Sequence, residues 1–290
     1  MSVAGESYLV GLIGSGITHS LTPPMHEQEA DRLGLRYLYR PIDLDVIDRG
    51  GDQVGSILAW ARDLGYSAFN VTFPCKQTVI EHLDELSESA EMLGSVNTVL
   101  VQNGALVGHN TDHSGFAWGL TRGLPEADMS RVVQLGSGGA GSAVAYALLS
   151  RGARELRIAD LDASRAERLA QAMASAFPDR IVAALDMAET ASAIEQATGL
   201  VNTTPVGMHH HPGLPVHESV LHQGLWVADV VYRPLRTQLV NLAEDRGCRV
   251  LDGGHMAVGQ AIDTFELITG LAPDAQRMRA HFDDLIAHGL

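Results

Sequence analysis

The sequence predicts an α/β protein of two domains, and three observations carry that reading. Short apolar, β-branched runs alternate with amphipathic stretches along most of the chain, the pattern of strands laid side by side with helices on the faces of their sheet. A glycine-rich turn, Gly136-Ser137-Gly138-Gly139-Ala140-Gly141, joins the run over 132–135 directly to an alanine-rich helical stretch. At 290 residues the chain has room for one large domain or two ordinary ones, and 46% apolar content is ample for buried cores.

Residues 7–14 read as a strand broken by Gly14 and Gly16. Pro23 and Pro24 suit the first turn of a helix over 25–33, since proline's fixed φ fits there and its missing N–H is not needed. Ser20 and Thr22 fall between strand end and helix start, a place suited to holding a polyol or a carboxylate. Taken alone, such hydroxyls are more often plain caps. A strand over 37–43, a helix over 54–64 and a strand over 68–72 follow. The last runs into Phe73-Pro74-Cys75-Lys76, so Asn70, Thr72 and Lys76 sit at a strand's carboxyl end, where open α/β sheets bind ligands. An isolated lysine would otherwise read as surface.

An acidic helix is expected over 80–92. Strands over 94–101 and 106–112 then flank Gln102-Asn103-Gly104-Ala105, and Asn-Gly is a strong hairpin signal. Asn97 and Asp112 place polar groups where a buried strand prefers none, although each alone is an ordinary turn or cap residue. A helix over 113–124 follows, with the domain boundary at 112.

In the glycine turn, Gly136, Gly138 and Gly141 fit the G-x-G-x-x-G spacing. The first glycine permits the sharp turn, the second lets a pyrophosphate approach the backbone, and the third lets helix and strand pack closely. The helix's free N–H groups and positive dipole end then face the phosphates. A strand over 155–159 follows and ends at Asp160, about twenty residues on, where a dinucleotide fold places its ribose-binding acid. Helices over 165–177, 188–197 and 237–246 alternate with strands over 181–185, 200–204, 226–232 and 248–251. A glycine hinge at 253–254 leads to an amphipathic helix through 267, which carries Gln260 among apolar neighbours, and to a last helix over 273–288. A buried glutamine needs partners, whether backbone or ligand.

The bulk composition excludes several classes. A formal charge of −15 disfavours a protein that grips nucleic acid or an anionic membrane through a basic face. Cys75 and Cys248 are the only cysteines and lie far apart, which suggests neither a disulfide framework nor a thiolate zinc site. Residues 1–12 show no basic region before a long apolar segment, and no run spans a bilayer. A soluble, cytoplasmic protein is expected. Adjacent His209, His210 and His211 cannot easily converge on one ion, so they read as a solvated loop and no metal is expected.

Taken together these residues resemble the shikimate dehydrogenase family, most closely its NAD-using quinate/shikimate dehydrogenases. The likeness spans nearly the whole chain. Residues 14–26 match G-x-x-x-x-H-S-x-S/T-P and residues 70–76 match N-V-T-x-P-x-K. In order come residues 94–98, Asn110-Thr111-Asp112, the glycine loop, Asn202-Thr203-Thr204-Pro205-Val206-Gly207-Met208, 229–232 and 253–260. The resemblance implies an N-terminal α/β substrate domain over 1–112 and a Rossmann NAD-binding domain over 113–254. The resemblance further implies a cleft between them, with C-terminal helices over 255–290 returning to the first domain. It also implies that Ser20 and Thr22 hold a carboxylate while Thr72, Lys76, Asn97, Asp112, Tyr232 and Gln260 surround ring hydroxyls. The cofactor site would comprise Gly136, Gly138, Gly139, Ala140, Gly141, Asp160, Arg165, Thr204, Pro205, Val230, Gly253 and Met256.

Oxidising a ring alcohol sends hydride to the nicotinamide while the hydroxyl proton must leave, so a positioned base is needed. Lys76 beside Asp112 suits that task, and which of the two is the formal base stays open. NADP-using members carry an Asn-Arg-Thr-like stretch where this chain has Asp160-Leu161-Asp162. A carboxylate there accepts hydrogen bonds from both ribose hydroxyls and repels a 2′-phosphate, so NAD is expected. Arg165 leaves room for some NADP use. Thr22, where strict shikimate enzymes usually carry serine, points to quinate. The substrate would be a cyclic polyol carboxylate, quinate or shikimate, interconverted with its 3-dehydro ketone, and the resemblance admits a homodimer. The rivals are an NADP-dependent biosynthetic shikimate dehydrogenase, an aminoshikimate dehydrogenase, a folate-type dehydrogenase and a non-catalytic metabolite sensor on the same fold.

Overall fold

Strand–helix alternation builds two separate six-stranded sheets. The computed structural model describes residues 7–289, so the reading of the segment over 1–6 lies outside the described residues. One unit takes Met1–Thr111 with Gln260–Leu290, and the other takes Asp112–Gly259. The first crossing falls one residue before the sequence expectation and the second five residues after it.

In the first unit the elements are β1 (Ser7–Gly14), α1 (Thr22–Arg32), β2 (Arg36–Asp43), α2 (Val54–Asp63), β3 (Ala68–Val71), α3 (Cys75–Thr78), β4 (Glu85–Leu86), α4 (Glu88–Leu93), β5 (Thr98–Gln102) and β6 (Ala105–His109). The strand order is β2-β1-β3-β5-β6-β4. β1 pairs in parallel with β2 and β3, whereas β5 runs against both β3 and β6. The hairpin closes as Asn-Gly demands, with Asn103 (φ 53°) and Gly104 (φ 86°) both left-handed. Ile13, Phe69, Val71, Val54 and Leu58 fill one core cluster. Val10, Leu12, Ala30, Tyr37, Tyr39 and Phe265 fill another.

The helix expected over 80–92 does not exist as one element. Its stretch divides into a single tight turn at Val79–His82, then β4, then α4. Two interactions outbid helical propensity here. Asp84 exchanges backbone and side-chain hydrogen bonds with Leu106, the backbone N–H of Asp84 donating at 2.9 Å and its carboxylate accepting at 2.7 Å. Ser87 then accepts from Ala90 N–H at 3.3 Å and restarts the helix as its N-cap.

The second unit continues with α5 (Asp112–Gly123), β7 (Arg131–Leu135), α6 (Gly139–Ser150), β8 (Glu155–Ala159), α7 (Ala163–Ala176), β9 (Ile181–Ala184), α8 (Thr190–Glu195), β10 (Gly199–Asn202), β11 (Trp226–Asp229), α9 (Gln238–Asp245) and β12 (Arg249–Leu251). All its strand pairs are parallel, in the order β12-β11-β10-β7-β8-β9. That is the doubly wound Rossmann order, whose direction reverses between β7 and β10 and opens a crevice at the strands' carboxyl ends.

Two helices complete the chain, α10 (Gly253–Thr269) and α11 (Ala275–Ala287). Gly253 opens α10 instead of acting as a hinge before it. A Cβ there would stand 2.4 Å from the Val231 carbonyl oxygen, so close approach explains this glycine. α11 is pinned to α1 by the buried Glu29, which accepts from Arg277 Nε at 2.7 Å and from Asp274 N–H at 2.8 Å. No helix among the described residues is long and apolar enough to cross a membrane.

Candidate active site

Strand directions in the first unit bring the carboxyl ends of β1, β3 and β6 and the amino end of β5 to one edge of the sheet. Ser20 and Thr22 lie there, half-buried, with the Thr22 N–H donating to Ser20 Oγ at 3.3 Å. α1 begins at Thr22, three residues earlier than expected, and its N-cap is Leu21 without a side-chain bond. Neither residue occupies the N-cap position, although Ser20 Oγ takes the first N–H of the helix and so keeps a capping role. Thr72 donates its N–H to Ile13 O at 2.9 Å, and its methyl lies where a Cβ on Gly14 would be, 2.4 Å away. Lys76, half-buried on α3, accepts Val96 N–H at its carbonyl at 2.8 Å, which seats it beside the Asn97 segment.

Asn97 is buried and clamped. Its Nδ2 donates to Thr111 Oγ1 at 2.9 Å, while its Oδ1 accepts Thr111 N–H at 2.8 Å and Thr98 Oγ1 at 3.1 Å. Thr264 from α10 bonds both Thr98 Oγ1, at 3.2 Å, and Thr111 Oγ1, at 2.9 Å. Asn70 donates to Asn97 O and Thr98 Oγ1, each at 3.1 Å, and accepts from the Tyr39 hydroxyl. Gln260 sits half-buried on α10 in this unit. Asp112, buried at the start of α5, and Tyr232, half-buried after β11, belong to the second unit.

In the second unit the glycine loop sits at the end of β7. Gly136 has φ 96°, and a Cβ on it would strike Thr203 Oγ1 at 2.7 Å. One on Gly141 would strike the Gly136 carbonyl at 2.6 Å. Packing within the chain therefore accounts for both. A Cβ on Gly138 would meet no atom within 4 Å, so nothing in the protein requires that glycine. The space in front of it opens the backbone to an approaching group, and α6 begins there with no side-chain cap on its N–H groups. These features fit a dinucleotide pyrophosphate.

Asp160, just past β8, accepts from Ser137 N–H at 2.8 Å and Ser137 Oγ at 2.7 Å. Arg165 stands near enough for its charge to act on that carboxyl. Thr204 bonds Asn202 through both N–H, at 3.1 Å, and Oγ1, at 2.6 Å, with Pro205 exposed beside it. Val230 donates its N–H to Asn202 O at 3.0 Å, and Gly253 packs on the Val230 and Val231 carbonyls. Met256 follows, half-buried, on α10.

Comparison with known proteins gives the family. A family model for the shikimate dehydrogenase substrate binding domain matches residues 12–99. A shikimate dehydrogenase (NADP(+)) of Pseudarthrobacter chlorophenolicus is 56% identical over 99% of this chain and 98% of its own. The chain belongs to the shikimate dehydrogenase family. A quinate/shikimate dehydrogenase (NAD(+)) of Corynebacterium efficiens is 48% identical over 96% of this chain and 98% of its own. Among solved structures, quinate dehydrogenase from Corynebacterium glutamicum in complex with NAD has a TM-score of 0.90 at 45% identity, covering 96% of this chain and 99% of that chain. The protein is an oxidoreductase of this family and uses a nicotinamide dinucleotide, while the relatives' names divide between NAD and NADP.

Several residues with no site role in the sequence reading hold the two regions in shape. Asp43, at the end of β2, accepts from Gly16 N–H at 3.0 Å, Thr18 N–H at 2.8 Å and Thr18 Oγ1 at 2.6 Å, and so shapes the loop leading to Ser20. Burial pushes its carboxyl up, but these donors outweigh burial and hold it below its ordinary range. The signal for it was register: Gly14 pairs with Asp43, so an acid ends the strand beside the G-S-G loop. Gln134 braces the glycine loop, donating to the carbonyls of Gly136 and Gly141 at 2.9 Å each.

Asp229 links the loops after β10 and β11. It is 2% exposed and accepts from Asn202 Nδ2 at 3.0 Å, Val231 N–H at 3.0 Å and Thr237 Oγ1 at 2.7 Å. Burial pushes its carboxyl up to about 6 against those donors, from an ordinary value of 3.8. An acid raised on folding stabilises the fold below its unfolded value and loses that contribution as pH rises through the folded one. Wild type should therefore lose about 2 kcal/mol relative to Asp229→Asn between about pH 4.5 and pH 7.5. Denaturant unfolding of both proteins at pH 4.5 and 7.5 measures it, and a difference that stays constant with pH would show that Asp229 titrates normally.

Proposed function

We propose that the chain interconverts quinate with 3-dehydroquinate and shikimate with 3-dehydroshikimate, with NAD as the hydride carrier. The observation that carries the cofactor choice is Asp160, a carboxylate at the end of the second Rossmann strand and hydrogen-bonded to the glycine loop. An acid in that place favours ribose hydroxyls and repels a 2′-phosphate. The 56% identical relative is named for NADP and the 48% identical one for NAD, so overall identity alone points both ways.

In this reading Ser20 and Thr22 hold the substrate carboxylate, while Thr72, Asn97, Tyr232 and Gln260 fix the ring hydroxyls. The Asn97–Thr111–Thr264 clamp supports it, because a substrate-orienting amide must itself be held still. Lys76 and Asp112 take the hydroxyl proton as the carbinol becomes a ketone. A nicotinamide dinucleotide held by the glycine loop and Asp160 would supply the acceptor for the hydride that leaves the carbinol carbon.

Initial rates of nicotinamide reduction, with quinate and shikimate each crossed with NAD and NADP, test the proposal. Turnover of both acids with NAD is expected. Turnover of shikimate alone with NADP would make this a biosynthetic shikimate dehydrogenase, the second reading favoured by the 56% identical relative.

A further inference from the structure

Ser137 is the one hydroxyl between the first two glycines of the loop, and it is 8% exposed. Both of its donors go to the same atom. Its N–H and its Oγ reach Asp160 Oδ2 at 2.8 and 2.7 Å, and Asp162 N–H reaches Oδ1 at 3.0 Å. An ionised carboxylate offers about four lone-pair sites, two on each oxygen. The two bonds to Oδ2 fill that oxygen, and the bond to Oδ1 leaves one site there. Asp160 as it stands therefore has room for a single ribose hydroxyl, where the sequence reading gave it two.

The same donors also screen its charge. Burial pushes the Asp160 carboxyl up, but Ser137, the Asp162 N–H and the Arg165 charge together hold it below its ordinary range, so it is an anion at neutral pH. An anion that repels a 2′-phosphate does so less when a hydroxyl dipole points at it from a fixed position.

We propose that Ser137 sets the dinucleotide specificity of this chain: its hydroxyl masks Asp160, costing one ribose hydrogen bond with NAD and tempering the exclusion of NADP. The proposal rests on Asp160 being the ribose acid of the function proposed above. With the hydroxyl removed, Oδ2 regains a site for the second ribose hydroxyl, and the unscreened charge meets a 2′-phosphate more strongly. Both changes widen the gap between the two dinucleotides.

The test is equilibrium binding, by titration calorimetry, of NAD and of NADP to the full-length protein without substrate. Ser137→Ala should bind NAD more tightly and NADP more weakly, widening the ratio of the two dissociation constants about tenfold. In an Asp160→Ala background the same substitution should leave the ratio unchanged, since Ser137 then has no carboxylate to mask. An unchanged or narrowed ratio for Ser137→Ala alone, or an equal widening in the Asp160→Ala background, overturns the proposal. Wild type that binds NADP more tightly than NAD overturns the NAD reading instead. The change of ratio on Ser137→Ala is read separately from that preference, so the two ideas fail independently.

Discussion

Lys76→Ala should lower kcat for quinate oxidation by about 10²- to 10⁴-fold, the range a positioned proton-transfer group contributes. Folding should survive, because the Lys76 carbonyl's bond from Val96 N–H at 2.8 Å and the Cys75 N–H bond to Thr72 O at 2.8 Å, which help seat this segment, are both kept by alanine. NAD affinity should also survive, since Lys76 belongs to the first unit while the glycine loop and Asp160 belong to the second. A thermal melt and an NAD titration on the same preparation separate a chemical defect from a folding defect. Lys76→Arg sharpens the result. Arginine keeps a cation but does not give up its proton in proteins, so if Lys76 relays a proton the arginine variant stays slow. If Lys76 only holds a hydroxyl by its charge, arginine restores a large part of the rate. Near-normal turnover in Lys76→Ala would remove Lys76 from the chemistry and with it the proposed mechanism.

The parts of this molecule legible from sequence were those written in local pattern. Asn103-Gly104 announced its hairpin because only left-handed turn residues close one so tightly, and the glycine spacing at 136–141 announced a strand, a turn and a helix. The stretch over 80–92 misled because helix propensity is a weak prior. A pairing of Asp84 with Leu106, twenty-two residues on, outweighed it, and that pairing exists only once the hairpin has formed. The supports of the candidate site were hidden for the same reason. Thr264 joins Thr98 and Thr111 across more than 150 residues, and no window of sequence contains all three. Ser137 and Asp160 were each visible as members of a motif. Their contact, which decides how many hydrogen bonds Asp160 has left to give a ribose, was not.

Acidification from pH 6.5 to pH 3 should remove about 4 kcal/mol of stability through His26 alone. This side chain is fully buried among Tyr37, Tyr39 and Phe265. Its Nδ1 shares a hydrogen bond with the Tyr37 hydroxyl at 3.0 Å, and its Nε2 is buried with no hydrogen-bond partner. Burial lowers its pKa from 6.5 to about 3, because an imidazolium in that cluster would lose its hydration and find no anion. The same burial raises Tyr37 and Tyr39 well above the ordinary phenol value, so both stay neutral and offer the imidazolium no counter-charge. The sign follows from linkage: below pH 6.5 the unfolded chain takes up a proton at His26 that the folded chain refuses until about pH 3. Stability is whole above pH 6.5 and falls by up to about 1.4 kcal/mol for each pH unit below it. His26→Phe keeps an aromatic ring in an aromatic site, forfeits the Tyr37 hydrogen bond and cannot titrate. Its unfolding free energy should lie below wild type at pH 7 and gain on it steadily as pH falls to 4. The remaining histidines among the thirteen cancel in that difference. Parallel curves for the two proteins would show that His26 is protonated in the fold. A converging pair would carry a functional consequence as well, because Tyr39, which packs on His26, holds Asn70 and through it the Asn97 clamp. Acid that opens this cluster then loosens the proposed substrate site from behind, and quinate turnover should fail along the same pH curve as the fold.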